Sequence, residues 1–193
     1  MATSTAEGGT TAGVVLAAGG GTRFAGDGHK LLAPFRGRPV VAHVVDAVCA
    51  AGFDEVIVVT GAVDLAGLLP STVTVVENEA WALGQAGSLQ VALAAAGAAG
   101  HDAVVVGLGD QPLIGADAWR SVATSESPIA VATYDGARRN PVRLHRSIWP
   151  LLPTDGDQGA RGLMLVRPDL VAEVPCQGSP VDIDTVEDLD RWN

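Results

Sequence analysis

Apolar residues along this chain alternate between two rhythms. Val14-Val15-Leu16 begins the pattern as a continuous apolar run, and a strand is predicted over about residues 13 to 17. Val41, Val44, Val45 and Val48 then recur at helical spacing, with Pro39 suited to a first helical turn and Gly52 to a helix end. Val56-Ile57-Val58-Val59 reads as a strand covered on both faces, and Val73-Thr74-Val75-Val76 as another after Gly61 and a short helical turn. Leu89, Leu93 and Ala96 mark one face of the next helix, closed by Gly100, and Val104-Val105-Val106 is a central strand. Such alternation predicts parallel strands joined by right-handed crossovers, with helices on both faces of the sheet.

The second half is less regular. Ile129-Ala130-Val131-Ala132 and Pro141-Val142-Arg143-Leu144 read as strands that a turn at Asp135-Gly136 would pair. Short helices are predicted near residues 147 to 152 and 158 to 166. Val181-Asp182-Ile183 reads as a last short strand. Asp184 or Thr185 then caps a helix to Trp192, with Glu187 and Asp188 in its first turn.

Composition narrows the class. The 193 residues suit one domain, and 48% hydrophobic with 18% charged residues suits a globular α/β core built mainly of Val, Leu and Ala. Residues 1 to 12 are small and polar, lack the pattern of a secretory signal, and read as a disordered lead to a single domain over 13–193. No apolar run is long enough to span a bilayer. A net charge of −10 argues against nucleic acid or an anionic membrane as partner, so a phosphorylated substrate needs local cations or a divalent metal. The two cysteines, Cys49 and Cys176, have neither zinc spacing nor a disulfide framework, which fits a reducing cytoplasm.

The chemistry centres on the stretch from Leu16 to Lys30. Leu16, Ala17, Ala18, Gly19, Gly20, Gly21 and Thr22 follow the first strand, and Arg23 and Lys30 bring positive charge. Glycines let backbone N–H groups turn toward an anion and let phosphate come close, so strand, glycine loop and two cations outline a polyphosphate site. Neither common phosphate motif fits. Phe24 stands where a dinucleotide fingerprint after Gly19 and Gly21 needs Gly or Ala, and Asp27 follows Gly26 where a P-loop needs Lys. No Gly-x-Ser-x-Gly elbow occurs. A solvated glycine turn is the plain alternative.

Further along, the central strand ends in Gly107-Leu108-Gly109-Asp110-Gln111-Pro112. Ligands of open α/β sheets sit beyond the carboxyl ends of the strands, so Asp110 and the glycine loop should face one crevice. Magnesium between that carboxylate and a triphosphate makes chemical sense. Asp182 and Asp184 form a second acidic pair that a strand would put on one face. Helix capping by Asp184 and solvation of Asp182 would account for them equally.

In order, Leu-Ala-Ala-Gly, Thr22-Arg23-Phe24, Lys30-Leu31-Leu32, Gly37-Arg38-Pro39-Val40, Gly-Asp-Gln-Pro and Asp-Ile-Asp-Thr-Val-Glu-Asp-Leu resemble the MobA/MocA-like nucleotidyltransferases over nearly the whole chain. The Leu-Ala-Ala-Gly loop and Gly156-Asp157-Gln158-Gly159-Ala160-Arg161 look closer to molybdenum cofactor cytidylyltransferases than to the guanylyltransferase branch. The resemblance implies a Rossmann-like three-layer α/β/α sandwich with a mostly parallel mixed sheet, like the nucleotide-diphospho-sugar transferases. It implies Arg23, Lys30 and Asp110 as catalytic residues, and the glycine loop from Leu16 to Thr22 as the nucleoside triphosphate holder. Asn78, Gly84 and Ser88 fall in the region that recognises the base. Asp110 with Asp182 or Asp184 would bind Mg²⁺, and Asn140 and Arg161 would face the acceptor. Arg139 stands where the family usually has Gly, which would add an anion contact or alter acceptor choice. His29 reads as a solvated loop residue.

The implied reaction moves CMP from CTP onto the phosphate of molybdopterin and releases pyrophosphate, in the cytoplasm, with a molybdoenzyme as possible recipient. Transfer of GMP to molybdenum cofactor or a small phosphorylated acid is an alternative within the chemistry. A nicotinamide-dependent oxidoreductase on the same fold and a nucleotide-binding chaperone are alternatives outside it.

Overall fold

The computed structural model describes residues 9–26 and 28–193. Its main sheet has seven strands: β1 (Thr11–Leu16), β4 (Glu55–Thr60), β5 (Thr74–Glu77), β6 (Ala103–Leu108), β7 (Ile129–Tyr134), β8 (Ala137–His145) and β9 (Val171–Pro175). A small hairpin, β2 (Pro34–Phe35) with β3 (Arg38–Pro39), stands apart. The order across the sheet is β5-β4-β1-β6-β8-β7-β9. Only β8 runs against its neighbours, pairing antiparallel with both β6 and β7. The fold is therefore the mostly parallel mixed sheet that the alternation and the resemblance imply.

Alternate residues of the central strands feed two apolar layers. Val14, Ile57, Val59, Val104 and Val131 face α2 (Gln85–Ala98) and α4 (Arg161–Val166). Val15, Val58, Val105 and Ala130 face α1 (Val40–Ala51) and α3 (Ala116–Ala123). Strands covered on both faces have no use for polar alternation, which is why they read as unbroken Val and Ile runs. A third cluster seats α5 (Val186–Trp192), where Leu189 packs with Phe35, Val40 and Ile183.

Several expectations shift. The disordered lead over 1–12 is too long at its end: Thr11 and Ala12 lie in β1, and Ala12 is fully buried, while residues 1–8 lie outside the described residues. Residues 181–183 are not a strand. The edge strand beyond β7 is β9, with Val171, Ala172, Glu173, Val174 and Pro175 parallel to β7. Its interleaved polar residue and closing proline suit a half-exposed edge and leave it without the apolar run of its neighbours. The helix α3 also went unread, because its buried face is carried by Ala118, Trp119 and Val122 alone. The turn at Asp135-Gly136 does join β7 to β8, and Gly52 ends α1 in the left-handed conformation at φ 80°.

The amino end of the sheet is tied by side chains. Glu55 accepts hydrogen bonds from Thr74 Oγ1 at one carboxylate oxygen and pairs with His101 Nε2 at the other, 2.8 Å away. His101 Nδ1 lies 2.9 Å from Thr10 Oγ1. This network joins the starts of β1, β4, β5 and β6, at the end of the sheet opposite Asp110. The Thr74 hydrogen bond holds the Glu55 carboxyl below the usual glutamate range, against the opposing effect of burial and with help from His101.

A Cβ on Gly107 would stand 2.5 Å from the Trp119 ring. Gly107→Ala should therefore lower stability by about 1–3 kcal/mol through overpacking, read as a lower urea midpoint at unchanged slope. A depressed carboxyl pKa gives stability that is present above the unfolded value, about 4.3 for glutamate, and is lost as pH falls through the lower folded value. Glu55→Gln should thus be less stable than the native chain at neutral pH, with the gap closing as pH falls below the unfolded glutamate value in the same urea titration.

Candidate active site

The glycine loop leaves the carboxyl end of β1 and is pinned to the neighbouring strands. Ala17 N–H donates to Val59 O at 2.8 Å, and Gly109 N–H to Leu16 O at 2.9 Å. Trp81 packs over the loop: a Cβ on Gly20 would stand 2.8 Å from its ring, and one on Gly61 2.8 Å from its Cβ. His29 is not a solvated loop residue. Its Nε2 donates to Gly19 O at 2.9 Å, and its Nδ1 accepts from Leu31 N–H at 3.2 Å, which fixes the tautomer and folds residues Lys30–Leu32 into a 3₁₀ turn. Desolvation lowers the imidazole pKa despite that carbonyl bond, so the ring acts as a neutral staple.

The acidic residues converge because two backbone segments touch. Ile183 N–H donates to Asp110 O at 2.9 Å, laying residues 182–184 along the end of β6. Thr185, rather than Asp184, caps α5. Its Oγ1 accepts from Asp188 N–H, and the Asp188 carboxylate accepts from Thr185 and from Asp184 N–H in a capping box. The Asp184 side chain is left for the site. There Lys30 Nζ stands 2.6 Å from Asp110 Oδ2 and 2.7 Å from Asp184 Oδ1, and Arg23 holds Asp184 Oδ2 at 2.9 Å. Burial works against the Lys30 charge, but the two carboxylates outweigh it and raise the ammonium pKa. Asp182 takes another path: burial, then the nearby Asp110 charge, push its carboxyl above the usual range, partly offset by a hydrogen bond from Gln111 Nε2 at 2.9 Å.

Two adjoining cavities open at this end of the sheet. The smaller, about 380 Å³, is walled by Leu16 through Thr22, Lys30, Trp81, Gly84, Ser88 and Asp110. The larger, about 1100 Å³, takes in Gln111, Asn140, Arg161 and Asp182, with Arg138 and Arg139. Leu16, Gln85, Leu108 and Asp157 border both. The loop, Lys30 and Asp110 thus meet at one cavity, and both acceptor candidates lie in the next, while Arg23 is exposed on Asp184 and lines neither. Asn78 is placed differently from Gly84 and Ser88. It is buried behind the wall, donates to Ser88 Oγ at 2.9 Å and accepts from Ala80 N–H, so its carboxamide shapes the turn into α2.

Three contributors were missed or undervalued by sequence reasoning. Gln111 is buried and links the halves of the site, accepting from Asn140 Nδ2 at 3.0 Å while donating to Asp182. A register shift opposite Val131 and Ala132 bulges β8 at Asn140, re-aiming the strand at the rim of the cavity. Asp157 lies between the cavities with its Oδ1 3.3 Å from Gln85 N–H at the start of α2. Gly84 permits this approach, since a Cβ there would stand 2.7 Å from Gly156 O and its φ is 117°. A glycine immediately before a helix was the available signal.

The oxygen donors here suit a hard divalent cation. Asp110 Oδ1 is buried without a hydrogen-bond partner, an orphan acceptor facing the shared end of β6. Among the described residues no group of three or more His, Cys, Asp or Glu side chains is arranged to hold an ion by itself. Protein oxygens from two carboxylates would need completion by ligand oxygens. Among the same residues no helix is long and apolar enough to cross a membrane.

This arrangement is that of the nucleotidyltransferase folds. The chain belongs to the MobA-like NTP transferase domain family, which it matches over residues 13–171. It is 32% identical to nicotine blue oxidoreductase of Paenarthrobacter nicotinovorans over 93% of this chain and 94% of that one. Rv0371c of Mycobacterium tuberculosis superposes with a TM-score of 0.82 at 30% identity, covering 95% of this chain and 97% of that one. Rv0371c has also been solved in complex with manganese. A nucleotidyl transferase from Methanothermobacter gives a TM-score of 0.79 at 27% identity, with 95% and 96% covered.

The cap that frees Asp184 is testable. Thr185→Ala should cost about 1 kcal/mol of stability. It should also weaken nucleotide binding several-fold in calorimetry, because Asp184 N–H and its side chain lose their fixed start to α5. Unchanged binding alongside the stability loss would separate the cap from the site.

Proposed function

We propose that the protein is a Mg²⁺-dependent nucleotidyltransferase that moves CMP from CTP onto the terminal phosphate of molybdopterin. The observation that carries this reading is the pair of adjoining cavities, one walled by the glycine loop and the other by arginines, with Asp110 and Lys30 at the first and Gln111 and Asp182 leading into the second. Donor and acceptor would meet end to end, as in-line transfer requires. The base choice and the acceptor rest on the sequence resemblance.

In this reaction an acceptor phosphate oxygen bonds to the α-phosphorus as the bond to the bridging oxygen breaks, and pyrophosphate departs with that electron pair. A phosphate monoester is already anionic, so no general base is needed and catalysis is positioning and charge stabilisation. Arg23, Lys30 and the loop N–H groups from Gly19 to Thr22 would steady the triphosphate and the leaving pyrophosphate. Ser88 and the backbone at Gly84 would meet the base, with Asn78 holding Ser88. Asn140 and Arg161 would orient the acceptor, joined by Arg139. Magnesium, held by Asp110 with Asp182 or Asp184, would supply charge neutralisation at the α-phosphate. The product would pass to a molybdoenzyme in the cytoplasm.

A nicotinamide-dependent oxidoreductase is the second reading, favoured by the name of the relative that matches nearly the whole chain. Phe24 weighs against it, since it interrupts the dinucleotide fingerprint.

Thermal unfolding with Mg²⁺ and each of CTP, GTP, ATP and NADPH separates these readings. A ligand at a hundred times its Kd adds about 2.7 kcal/mol, a rise of several degrees for a chain of this size. The expected result is a metal-dependent rise with CTP, and pyrophosphate release with molybdopterin that falls at least about 100-fold in Asp110→Ala. A rise with GTP instead would assign the guanylyl branch. A metal-indifferent rise with NADPH alone, or an Asp110→Ala variant within a few-fold of native turnover, would overturn the mechanism.

A further inference from the structure

Lys30 does more in this structure than wait for phosphate. Its side chain is only 12% exposed, and its ammonium holds one oxygen each of Asp110 and Asp184, at 2.6 and 2.7 Å. These carboxylates come from separate segments, the end of β6 and the approach to α5. At such range two carboxylates repel unless a cation lies between them. The ammonium therefore sets their spacing, while the second oxygen of Asp184 is held by Arg23 and the second oxygen of Asp110 stays unpaired.

The lysine stem also lies along the glycine loop. A Cβ on Gly21 would stand 3.3 Å from Lys30 Cγ, and Lys30 lines the same cavity as Gly19 to Thr22. Its backbone is set by the 3₁₀ turn and by His29, while the four-carbon stem beyond it carries rotatable bonds. Side-chain rotation is the motion that would carry the ammonium from the carboxylates toward an anion in the loop cavity it also lines.

We propose that Lys30 and the divalent metal are alternative counter-ions of the Asp110–Asp184 pair. The metal gains these oxygens as the ammonium leaves for the triphosphate, so metal and nucleotide each favour binding of the other. Two features make the exchange directional. The lysine already neutralises the pair, so a metal arriving alone must displace it with no new anion to receive the ammonium. A metal arriving with the triphosphate gains phosphate oxygens while the ammonium gains the phosphates it was facing. By linkage the coupling is reciprocal: whatever factor nucleotide adds to metal affinity, metal adds to nucleotide affinity. The proposal rests on the assignment of Asp110 and Asp184 to a metal.

The test is Mn²⁺ binding to the full chain by calorimetry, with a CTP analogue whose α,β bridge cannot be cleaved as second ligand. The native protein should bind Mn²⁺ weakly alone and at least about tenfold more tightly with the analogue, after correction for the metal–nucleotide complex in solution. Lys30→Met should bind Mn²⁺ alone about tenfold more tightly than the native chain and gain less from the analogue. Lys30→Arg, which keeps the cation, should behave as the native protein does without nucleotide. Lys30→Gln gives the same comparison should the Met variant fail to fold. Mn²⁺ affinity in Lys30→Met equal to or below the native value would overturn the exchange. If Asp110→Asn then still abolishes Mn²⁺ binding, the metal assignment survives that failure. If neither native nor variant protein binds Mn²⁺ while CTP alone raises the melting temperature, both fall together.

Discussion

An ammonium held between two carboxylates organises the working end of this protein. Lys30 joins three parts of the chain: the glycine loop, the end of β6 and the entry to α5. Each part is prepared for that meeting by ordinary backbone chemistry. His29 closes the loop on Gly19, Ile183 N–H docks on Asp110 O, and Thr185 takes over the capping of α5 so that the Asp184 carboxylate is free. Were Asp184 itself the cap, its oxygens would be spent on N–H groups, and the pair facing Lys30 would shrink to one.

The two ends of the sheet divide their tasks. The amino end is closed by the hydrogen-bond network of Glu55, Thr74, His101 and Thr10. The carboxyl end keeps an orphan acceptor on Asp110 and a raised carboxyl pKa on Asp182, both costly in a buried setting. Such costs persist where a ligand relieves them. The reversal of β8 serves the same end. Running antiparallel, it brings its amino-terminal residues to the carboxyl ends of β6 and β7, where the bulge presents Asn140 to Gln111. A parallel strand at that position would have brought its other end there, where His145 lies.

Much of this was legible because local rules and the global fold agree. The Val runs of β1, β4 and β6 and the spacing of α1 needed no structure to be read, since both faces of those strands are covered. The approach of Asp110 to the glycine loop followed from where ligands sit in open α/β sheets. What stayed hidden is the pairing that only three dimensions create. No periodicity shows that Ile183 lands on Asp110, that Gln111 bridges Asn140 to Asp182, or that Asn78 spends its carboxamide on Ser88. The edge strand β9 was missed for a different reason: an edge has one covered side and a proline, so it lacks the apolar signature of its neighbours.

A fold of this kind hosts more than one chemistry, and the name borne by a relative at 32% identity illustrates the point. The distinction must then be drawn from charge. Hydride transfer needs a planar ring held against a substrate and gains little from paired carboxylates with an ammonium between them. Phosphoryl chemistry gains from every one of those groups, because charge moves from the attacking oxygen to the departing pyrophosphate within a few ångströms. In a chain of net charge −10 the cations Lys30, Arg138, Arg139 and Arg161 line the two cavities and balance the carboxylates of Asp110, Asp157, Glu173 and Asp182 there. That local balance, against the acidity of the rest of the chain, is a physical ground for phosphorylated substrates, since a divalent cation would tip it positive. It also explains why acidity elsewhere does no harm: the field an incoming anion meets at close range is set by the groups within a Debye length of it.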